Sequence, residues 1–187
     1  MEMKRIFYLK ANRKEWNDKF NEKNKNLDWT LIKNRPTYEG GVLYSARHKK
    51  RDYFELVKPG DLVILHSTHI HSSRKNKEGT IDRQEFIPKP RIVGISKIKK
   101  RLYYDDRYKD YVINIDVKNM ILFNKHIEIR ELDIIHNNLL KNAEPFKVGS
   151  NRFGLTELKK EEYEIIMDKI INKNPELKNK IKQLEQG

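Results

Sequence analysis

The apolar positions of the chain fall into short runs separated by polar stretches. Uninterrupted apolar runs of this length predict buried strands, and runs that alternate with polar residues predict strands with one polar face. The pattern predicts strands over residues 6–9, 27–32, 62–65, 91–98, 111–117 and 120–129.

Other stretches follow the spacing of amphipathic helices. Asn12 can cap a helix, and Glu15 three residues later completes a capping-box pattern. The pattern predicts helices over residues 12–20, 44–56, 129–140 and 176–186, and one more that carries Tyr163, Ile166, Met167, Ile170 and Ile171. Residues 70–90 are polar and basic and contain Gly and Pro, which predicts a long loop between two strands, of the kind that is usually functional or mobile.

The order of these elements is β-α-β-α-β, followed by strands and then by helices. This order predicts an α+β fold with a curved, mixed sheet, and five or six strands commonly close into a small barrel. We expect one domain over residues 1–172 and a helical tail or linker over residues 173–187.

Charge is the compositional feature that bears most on function. The 187 residues include 40 Lys and Arg against 27 Asp and Glu, a net charge of +13. Residues 155–187 hold seven Lys and seven acidic residues, so the whole excess lies in the first 154 residues. Clustered cations attract a polyanion, which favours nucleic acid, with a merely solubilising surface as the alternative. The candidate phosphate-binding residues are Arg47, Lys49, Lys50, Arg51, Arg74, Lys75, Lys77, Lys89, Arg91, Lys97, Lys99, Lys100 and Arg101.

Several classes of protein are excluded or disfavoured. The sequence has no cysteine, which excludes disulfides, thiol nucleophiles and Cys-ligated zinc. It has no apolar run of about 20 residues and no secretory signal pattern, so we expect no membrane association and a cytoplasmic location. It has neither a P-loop nor a Gly-x-Ser-x-Gly elbow. His66, His69 and His71 lack a carboxylate nearby, and we expect no metal, no cofactor and no catalytic residue.

The order of the short motifs resembles the EVE and YTH branches of the PUA-like superfamily. The resemblance rests on six segments, which are Phe7-Tyr8-Leu9-Lys10-Ala11-Asn12, Asp28-Trp29-Thr30, the run from Lys58-Pro59-Gly60-Asp61 to His66-Ser67, the "vGi" core of residues 91–98, Tyr103-Tyr104-Asp105, and Asn151-Arg152-Phe153-Gly154-Leu155 followed by Lys160-Glu161-Glu162-Tyr163. It implies a PUA-like barrel flanked by helices that accepts a flipped, modified base in an aromatic cage. Similar domains begin McrB-like restriction GTPases, so the resemblance also implies an AAA+ GTPase domain C-terminal to this chain.

The candidate base pocket combines aromatic and polar residues. Trp29 lies in a polar context and is a candidate cage wall or, alternatively, a partly buried core residue. Tyrosines interleaved with charged residues suit stacking of bases, and Asp105 could accept hydrogen bonds from an exocyclic amine. The alternative for this tyrosine segment is an ordinary loop between strands. The expected pocket residues are Trp29, Tyr108, Tyr104, Tyr103, Ser67, Asn12, Lys10 and Asp105.

The leading hypothesis is therefore a nucleic-acid-binding module that is not an enzyme. We expect it to read a flipped, methylated base, with DNA favoured as partner and RNA as the other possibility. Three alternatives stay open, namely an RNA-binding module without preference for a modified base, an assembly domain that uses residues 176–186, and a ribonuclease around Asp105, Asp106 and Asp110.

Overall fold

A computed structural model describes residues 4–12, 29–32, 52–68, 74–75, 81–82, 91–105, 110–116, 118–147 and 155–187. The strands are β1 Ile6–Asn12, β2 Trp29–Ile32, β3 Leu62–Thr68, β4 Arg74–Lys75, β5 Ile81–Asp82, β6 Arg91–Asp105, β7 Asp110–Ile115, β8 Ile121–Glu128 and β9 Leu155–Leu158. The α-helices are α1 Asp52–Leu56, α2 Asn138–Asn142, α3 Lys160–Lys173 and α4 Lys178–Gln186. Short 3₁₀ helices cover Ile129–Leu132, Glu144–Phe146 and Pro175–Leu177.

Seven of the described strands form one mixed sheet. Its order is β2-β7-β6-β3-β1-β9, and β8 pairs with β6 as well. The pair β1–β3 is parallel and the other pairs of this sheet are antiparallel. The predicted α+β class with a mixed sheet is confirmed. Within the described residues the sheet has seven strands and is not closed into a barrel, because β2 and β9 each pair with a single neighbour.

Strand β6 runs through the middle of the sheet and changes partners along its length. Its first half pairs with β3 and β8, and its second half pairs with β7. Gly94 permits the close approach of β8, because a Cβ atom there would lie 2.7 Å from the backbone oxygen of Ile121. The register of β6 shifts at several points, and such bulges bend a strand and increase its twist.

The sheet is buried on both faces, which accounts for the uninterrupted apolar run in β1. Phe7, Tyr8 and Leu9 are fully buried. Tyr8 belongs to a first core that includes residues of α3, α4 and β8. Phe7 and Leu9 belong to a second core, which contains Leu65 and residues of β7. Strand residues alternate between faces, so the two cores lie on opposite faces of the sheet.

The C-terminal residues pack into the first core. Leu177, Ile181 and Leu184 are buried in it, and the Tyr163 hydroxyl donates a 2.6 Å hydrogen bond to Glu185. The fully buried Asn174 accepts from the backbone N–H of Lys125 and donates to its carbonyl, at 2.8 and 2.9 Å. The domain boundary at residue 172 stays a prediction, and the residues after it share their core with α3.

Several predicted elements differ from the structure. The helix predicted over 129–140 is wrong, because a 3₁₀ helix ends at Asp133 in the left-handed region (φ 47°) and α2 begins separately. The Asn137 side chain accepts from the backbone N–H groups of Leu139 and Leu140, which caps this second helix. Strand β6 continues seven residues beyond the predicted end at residue 98, and β9 was not predicted.

Other predictions concern residues only partly covered. Of the helix predicted over 12–20, Asn12 is the last residue of β1 and residues 13–20 lie outside the described residues. Helix α1 covers the end of the helix predicted over 44–56. Within the predicted loop 70–90, the described residues form the two-stranded ribbon β4–β5. None of the described helices has the length and apolar content that a membrane crossing needs.

Candidate nucleic-acid interface

Three predicted pocket residues meet where β1 and β3 end. In the parallel register Lys10 pairs with His66, Ala11 with Ser67, and Asn12 with Thr68. Ser67 also pairs with Arg91 at the start of β6. The sheet therefore brings the backbones of Lys10, Asn12 and Ser67 together beside a predicted phosphate-binding arginine.

The Lys10 ammonium group is buried at this end of the sheet. Its side chain is only 6% exposed, and its Nζ donates a hydrogen bond to the carbonyl of Pro145. Burial disfavours the charged form and lowers the pKa of Lys10 from 10.5 to about 8. The ammonium remains mostly protonated at neutral pH, so it is a buried cationic donor beside the strand ends.

Aromatic rings pack against one another on the face of β1 that carries this lysine. The Tyr8 ring makes edge-on contacts with His66 and Phe146, with centroid distances of 5.4 and 5.3 Å. The Tyr8 hydroxyl is buried without a hydrogen-bond partner in the described part of the chain, and burial raises its pKa well above the ordinary value. Because strand positions alternate, Tyr8 and Lys10 share the face of β1 that Pro145 and Phe146 cover.

Sequence reasoning missed Pro145 and Phe146 as parts of this site. The hydrogen bond from Lys10 to Pro145 spans 135 positions in the sequence. Only the packing of the 3₁₀ helix Glu144–Phe146 beside β1 and β9 brings these residues together. The Pro residue after an acidic one indicates a turn, but no local signal connects that turn with β1.

A half-buried histidine lies beside two cations at this end of the sheet. The pKa of His126 on β8 is lowered by burial and then by the neighbouring charges of Arg91 and Lys173. Lys173 itself is paired with the carboxylate of Glu131, at 2.8 and 2.7 Å. Arg91 is therefore the cation of this group that the predicted phosphate-binding set contains.

The second half of β6 carries the predicted aromatic segment. Tyr103 is part of the strand, so the alternative of an ordinary loop is wrong for this residue. Its hydroxyl donates a 2.7 Å hydrogen bond to Oδ1 of the buried Asn114 on β7. The Nζ of Lys100 lies 5.0 Å from the centroid of the Tyr103 ring, a cation–π contact. Tyr104 and Asp105 follow in the strand and pair with Tyr111 and Asp110.

Trp29 lies across β7 from this segment. It begins β2 and pairs with Ile115, whereas Tyr103 pairs with Val112 on the other side of β7. Trp29 and Tyr103 therefore lie on the two strands that flank β7. Their partners on β7, Ile115 and Val112, are three positions apart. Lys10, Asn12 and Ser67 belong to a different part of the sheet. Tyr108 lies outside the described residues.

The predicted phosphate-binding residues have different environments. Lys99, Lys100 and Arg101 are exposed on β6, and Arg91 is partly buried. Lys97 is also partly buried, and its pKa is lowered by burial and by the nearby ammonium of Lys4. Arg74 and Lys75 form β4. The rest of this predicted set lies outside the described residues, namely Arg47, Lys49, Lys50, Arg51, Lys77 and Lys89.

Metal ligation has no support in the described residues, which contain no cluster of three His, Asp or Glu able to hold an ion. His69 and His71 lie outside those residues, and the expected absence of a metal stays a prediction.

Comparison with known proteins gives a likeness of fold. No protein-family model and no curated protein matches the sequence. A hypothetical protein from Leishmania major aligns with a TM-score of 0.60 and 12% identity, over 92% of this chain and 98% of that one. Human THYN1, solved in complex with DNA containing 5-methylcytosine, aligns with a TM-score of 0.56 and 16% identity, over 88% and 96%.

A protein from Pseudomonas putida is similar to the same extent, with a TM-score of 0.56 and 14% identity over 87% of this chain and 97% of that one. These alignments cover nearly whole chains. The α+β fold of this chain therefore matches the fold of these proteins, THYN1 among them. At such low identity the likeness concerns the fold alone.

Proposed function

We propose that this chain is a nucleic-acid-binding module that reads a flipped, modified base. The observation that carries the proposal is the whole-length fold likeness to THYN1, whose structure contains DNA with 5-methylcytosine. The second support is the charge of +13, which arises entirely in the first 154 residues. We further propose that the chain belongs to the EVE/YTH-like branch of the PUA-like superfamily.

In this proposal the base is recognised by the aromatic segment beside β7. Trp29 and Tyr108 stack against it, with Tyr103 and Tyr104 nearby, and such stacking is worth about 1–3 kcal/mol per base. Asp105 accepts from an exocyclic amine on the base edge. Lys10, Asn12 and Ser67 belong to a different part of the sheet and would contact the nucleic acid away from this base.

The phosphates are bound by the basic clusters, which supply most of the affinity. Lys99, Lys100 and Arg101 are exposed together on one strand. Binding through phosphate contacts releases counterions and weakens steeply with added salt. A methyl group alone contributes about 0.8 kcal/mol when buried. A strong preference for a methylated base therefore requires shape exclusion or hydrogen bonds in the pocket.

The biological setting that we propose is selection of modified DNA in a McrBC-type restriction system. The chain would then act in the cytoplasm beside an AAA+ GTPase domain. The module itself would bind without catalysing a reaction.

One alternative loses support from the packing of the C-terminal residues. An assembly domain that uses residues 176–186 would need an exposed apolar stripe. Leu177, Ile181 and Leu184 are instead buried in the first core. RNA binding without preference for a modified base remains the competing hypothesis, and one experiment separates the two.

The test is a competition titration of the chain at two salt concentrations. Labelled duplex DNA with N6-methyladenine or 5-methylcytosine competes with unmodified duplex and with single-stranded RNA. The proposal expects a preference for one modified duplex that survives the higher salt. Equal binding of all competitors that disappears with salt would contradict base reading and leave only a phosphate-binding surface. A preference for RNA would favour the alternative.

The Trp29→Ala variant tests the pocket itself. We expect it to weaken binding of the modified duplex while the salt-sensitive background binding persists. Trp16→Ala, which removes the other tryptophan of the sequence, is the control for loss of an indole ring. Equal losses of specific and background binding for Trp29→Ala would contradict the pocket.

A further inference from the structure

Two irregularities in β6 turn three consecutive cations toward solvent. Ile98 pairs with Ile115, Lys100 with Asn114, and Tyr103 with Val112. Between the first and the last of these pairs β6 advances by five residues and β7 by three, so β6 contains two extra residues. In a regular strand successive side chains point to opposite faces, whereas a bulge breaks that alternation. As a result Lys99, Lys100 and Arg101 are all exposed.

These cations concentrate positive charge on a short stretch of the strand. Three neighbouring residues span only about 7 Å at about 3.3 Å per residue. Their long, exposed side chains can therefore contact phosphates of the same short backbone segment. Bulges are frequent next to functional sites because they re-aim side chains in this way.

The ring of Tyr103 is held in position by a hydrogen bond, and a flexible lysine lies over one of its faces. The Tyr103 hydroxyl donates to Oδ1 of Asn114, which is only 3% exposed, at 2.7 Å. The ammonium of Lys100 lies 5.0 Å from the ring centroid. The ring is thus anchored to the neighbouring strand, whereas the exposed Lys100 side chain can rotate away.

A phosphate competes effectively for Lys100. An exposed cation–π contact is weak, whereas an ammonium that meets a phosphate forms a charge-assisted hydrogen bond and releases a counterion. A face that Lys100 leaves then becomes available to a base. Aromatic faces stack on every type of base.

We propose that Lys100 covers the Tyr103 ring in the free protein and moves to a phosphate when nucleic acid binds, which opens the ring for stacking with a base. This inference rests on the proposed function. It adds that phosphate binding and base stacking are coupled through one side chain, so that the base platform is exposed only when a backbone is present.

The direct test follows the side-chain Hε protons of Lys100 by NMR. In the free protein the Tyr103 ring current shifts these protons upfield, and Tyr103→Leu removes the shift. Addition of a single-stranded oligothymidylate should move the signals toward their ordinary positions. Tyr103→Phe keeps the ring without its hydroxyl and controls for the hydrogen bond to Asn114.

Binding titrations supply the second test. Lys100→Met should reduce the salt slope of log K by about 0.7 for a single strand. Lys141→Met, at an exposed lysine of α2, is the matched control and should leave the slope unchanged. Tyr103→Leu should weaken oligothymidylate binding roughly 5- to 150-fold. It should have no effect on an abasic strand of the same length.

The outcomes separate this inference from the proposed function. If the chain binds oligothymidylate but the Lys100 signals do not move and Lys100→Met has the salt slope of the wild type, the proposed movement of Lys100 is wrong and the proposed function stands. If the chain binds no nucleic acid in a salt-dependent way, both fail. An equally large loss of binding of Tyr103→Leu to the abasic strand would also contradict the proposed movement of Lys100.

Discussion

The two halves of β6 differ sharply although they share one continuous backbone. The first half has β3 on one edge and β8 on the other, and Ile92, Ile95 and Ser96 are fully buried. The second half pairs with β7 and carries the exposed Lys99, Lys100 and Arg101. One half supplies stability, and the other presents charge to solvent beside the half-buried ring of Tyr103.

This division has a mechanical consequence. A binding surface on a loop must be ordered when its ligand binds, which costs conformational entropy. The second half of β6 instead extends from a strand fixed on both edges, so its backbone is already positioned. Substitutions in the first half should therefore reduce stability, and substitutions in the second half should reduce binding with little effect on stability.

The largest expected effect comes from the buried half. Ile95→Ala removes a fully buried side chain from the first core and should lower the free energy of unfolding by about 2–5 kcal/mol. Chemical denaturation measures the loss. Leu122→Ala, at a side chain 40% exposed on β8, is the control and should cost much less. Equal losses of unfolding free energy for the two variants would mean that the first half of β6 does not contribute more to stability than an exposed position of β8.

The next effect concerns the pH dependence of stability at the strand ends. Lys10 has a pKa of about 8 in the folded chain and 10.5 as its ordinary value. Between these values the unfolded chain binds more protons, so the stability of the wild type rises with pH relative to Lys10→Met. Across this range the free energy of unfolding of the wild type should rise by about 3 kcal/mol relative to that of Lys10→Met, at 1.36 kcal/mol per pKa unit. Below pH 8 the cost of the buried charge is fully present.

Denaturation of both proteins between pH 7 and pH 11 checks this rise. Taking the difference cancels the titration of groups that the two proteins share. A difference that stays flat across this range would show that the Lys10 ammonium is not desolvated by the 3₁₀ helix Glu144–Phe146.

A smaller loss of stability is expected where β8 is attached to the helices. Asn174→Ala removes the side-chain hydrogen bonds to both backbone groups of Lys125. We expect a cost of about 1–3 kcal/mol, because a fully buried amide and its partners lose their hydrogen bonds. Asn142→Ala is the control, since its amide donates one exposed hydrogen bond to the carbonyl of Asn138. A cost no greater than that of the control would mean that β8 does not depend on Asn174.

The sequence predicted the framework better than the surface, and the reason lies in the range of the interactions. Apolar runs identified β1, β3 and the first half of β6, because a strand that is buried on both faces has apolar residues at consecutive positions. The stripe of Tyr163, Ile166, Met167 and Ile170 identified α3 for a similar reason. The other features depend on contacts between residues that are far apart in the sequence. The hydrogen bond between Lys10 and Pro145 is an example, and no local pattern of residues predicts it.

The second half of β6 illustrates why the candidate site was harder to predict. Tyr103 belongs to a run of charged and aromatic residues without alternation, which could also indicate a loop. The two bulges remove the period on which strand prediction depends, and they create the cluster of exposed cations. The irregularity that obscured the strand is thus the one that arranges the proposed phosphate contacts.

The smallest effect on stability should come from Arg101→Met, which tests the other side of the comparison. Arg101 is exposed on the bulged half of β6, so its substitution should change the free energy of unfolding by no more than about 0.5 kcal/mol. Its loss should nevertheless reduce the salt slope of duplex binding by about 0.9, the share of one phosphate contact. Lys182→Met, at an exposed lysine of α4, controls for net charge and should leave that slope unchanged. Denaturation and salt-dependent titration of the same samples measure both quantities. A loss of stability as large as that of Asn174→Ala would show that the second half of β6 is framework as well, and a slope equal to that of the control would remove Arg101 from the phosphate contacts.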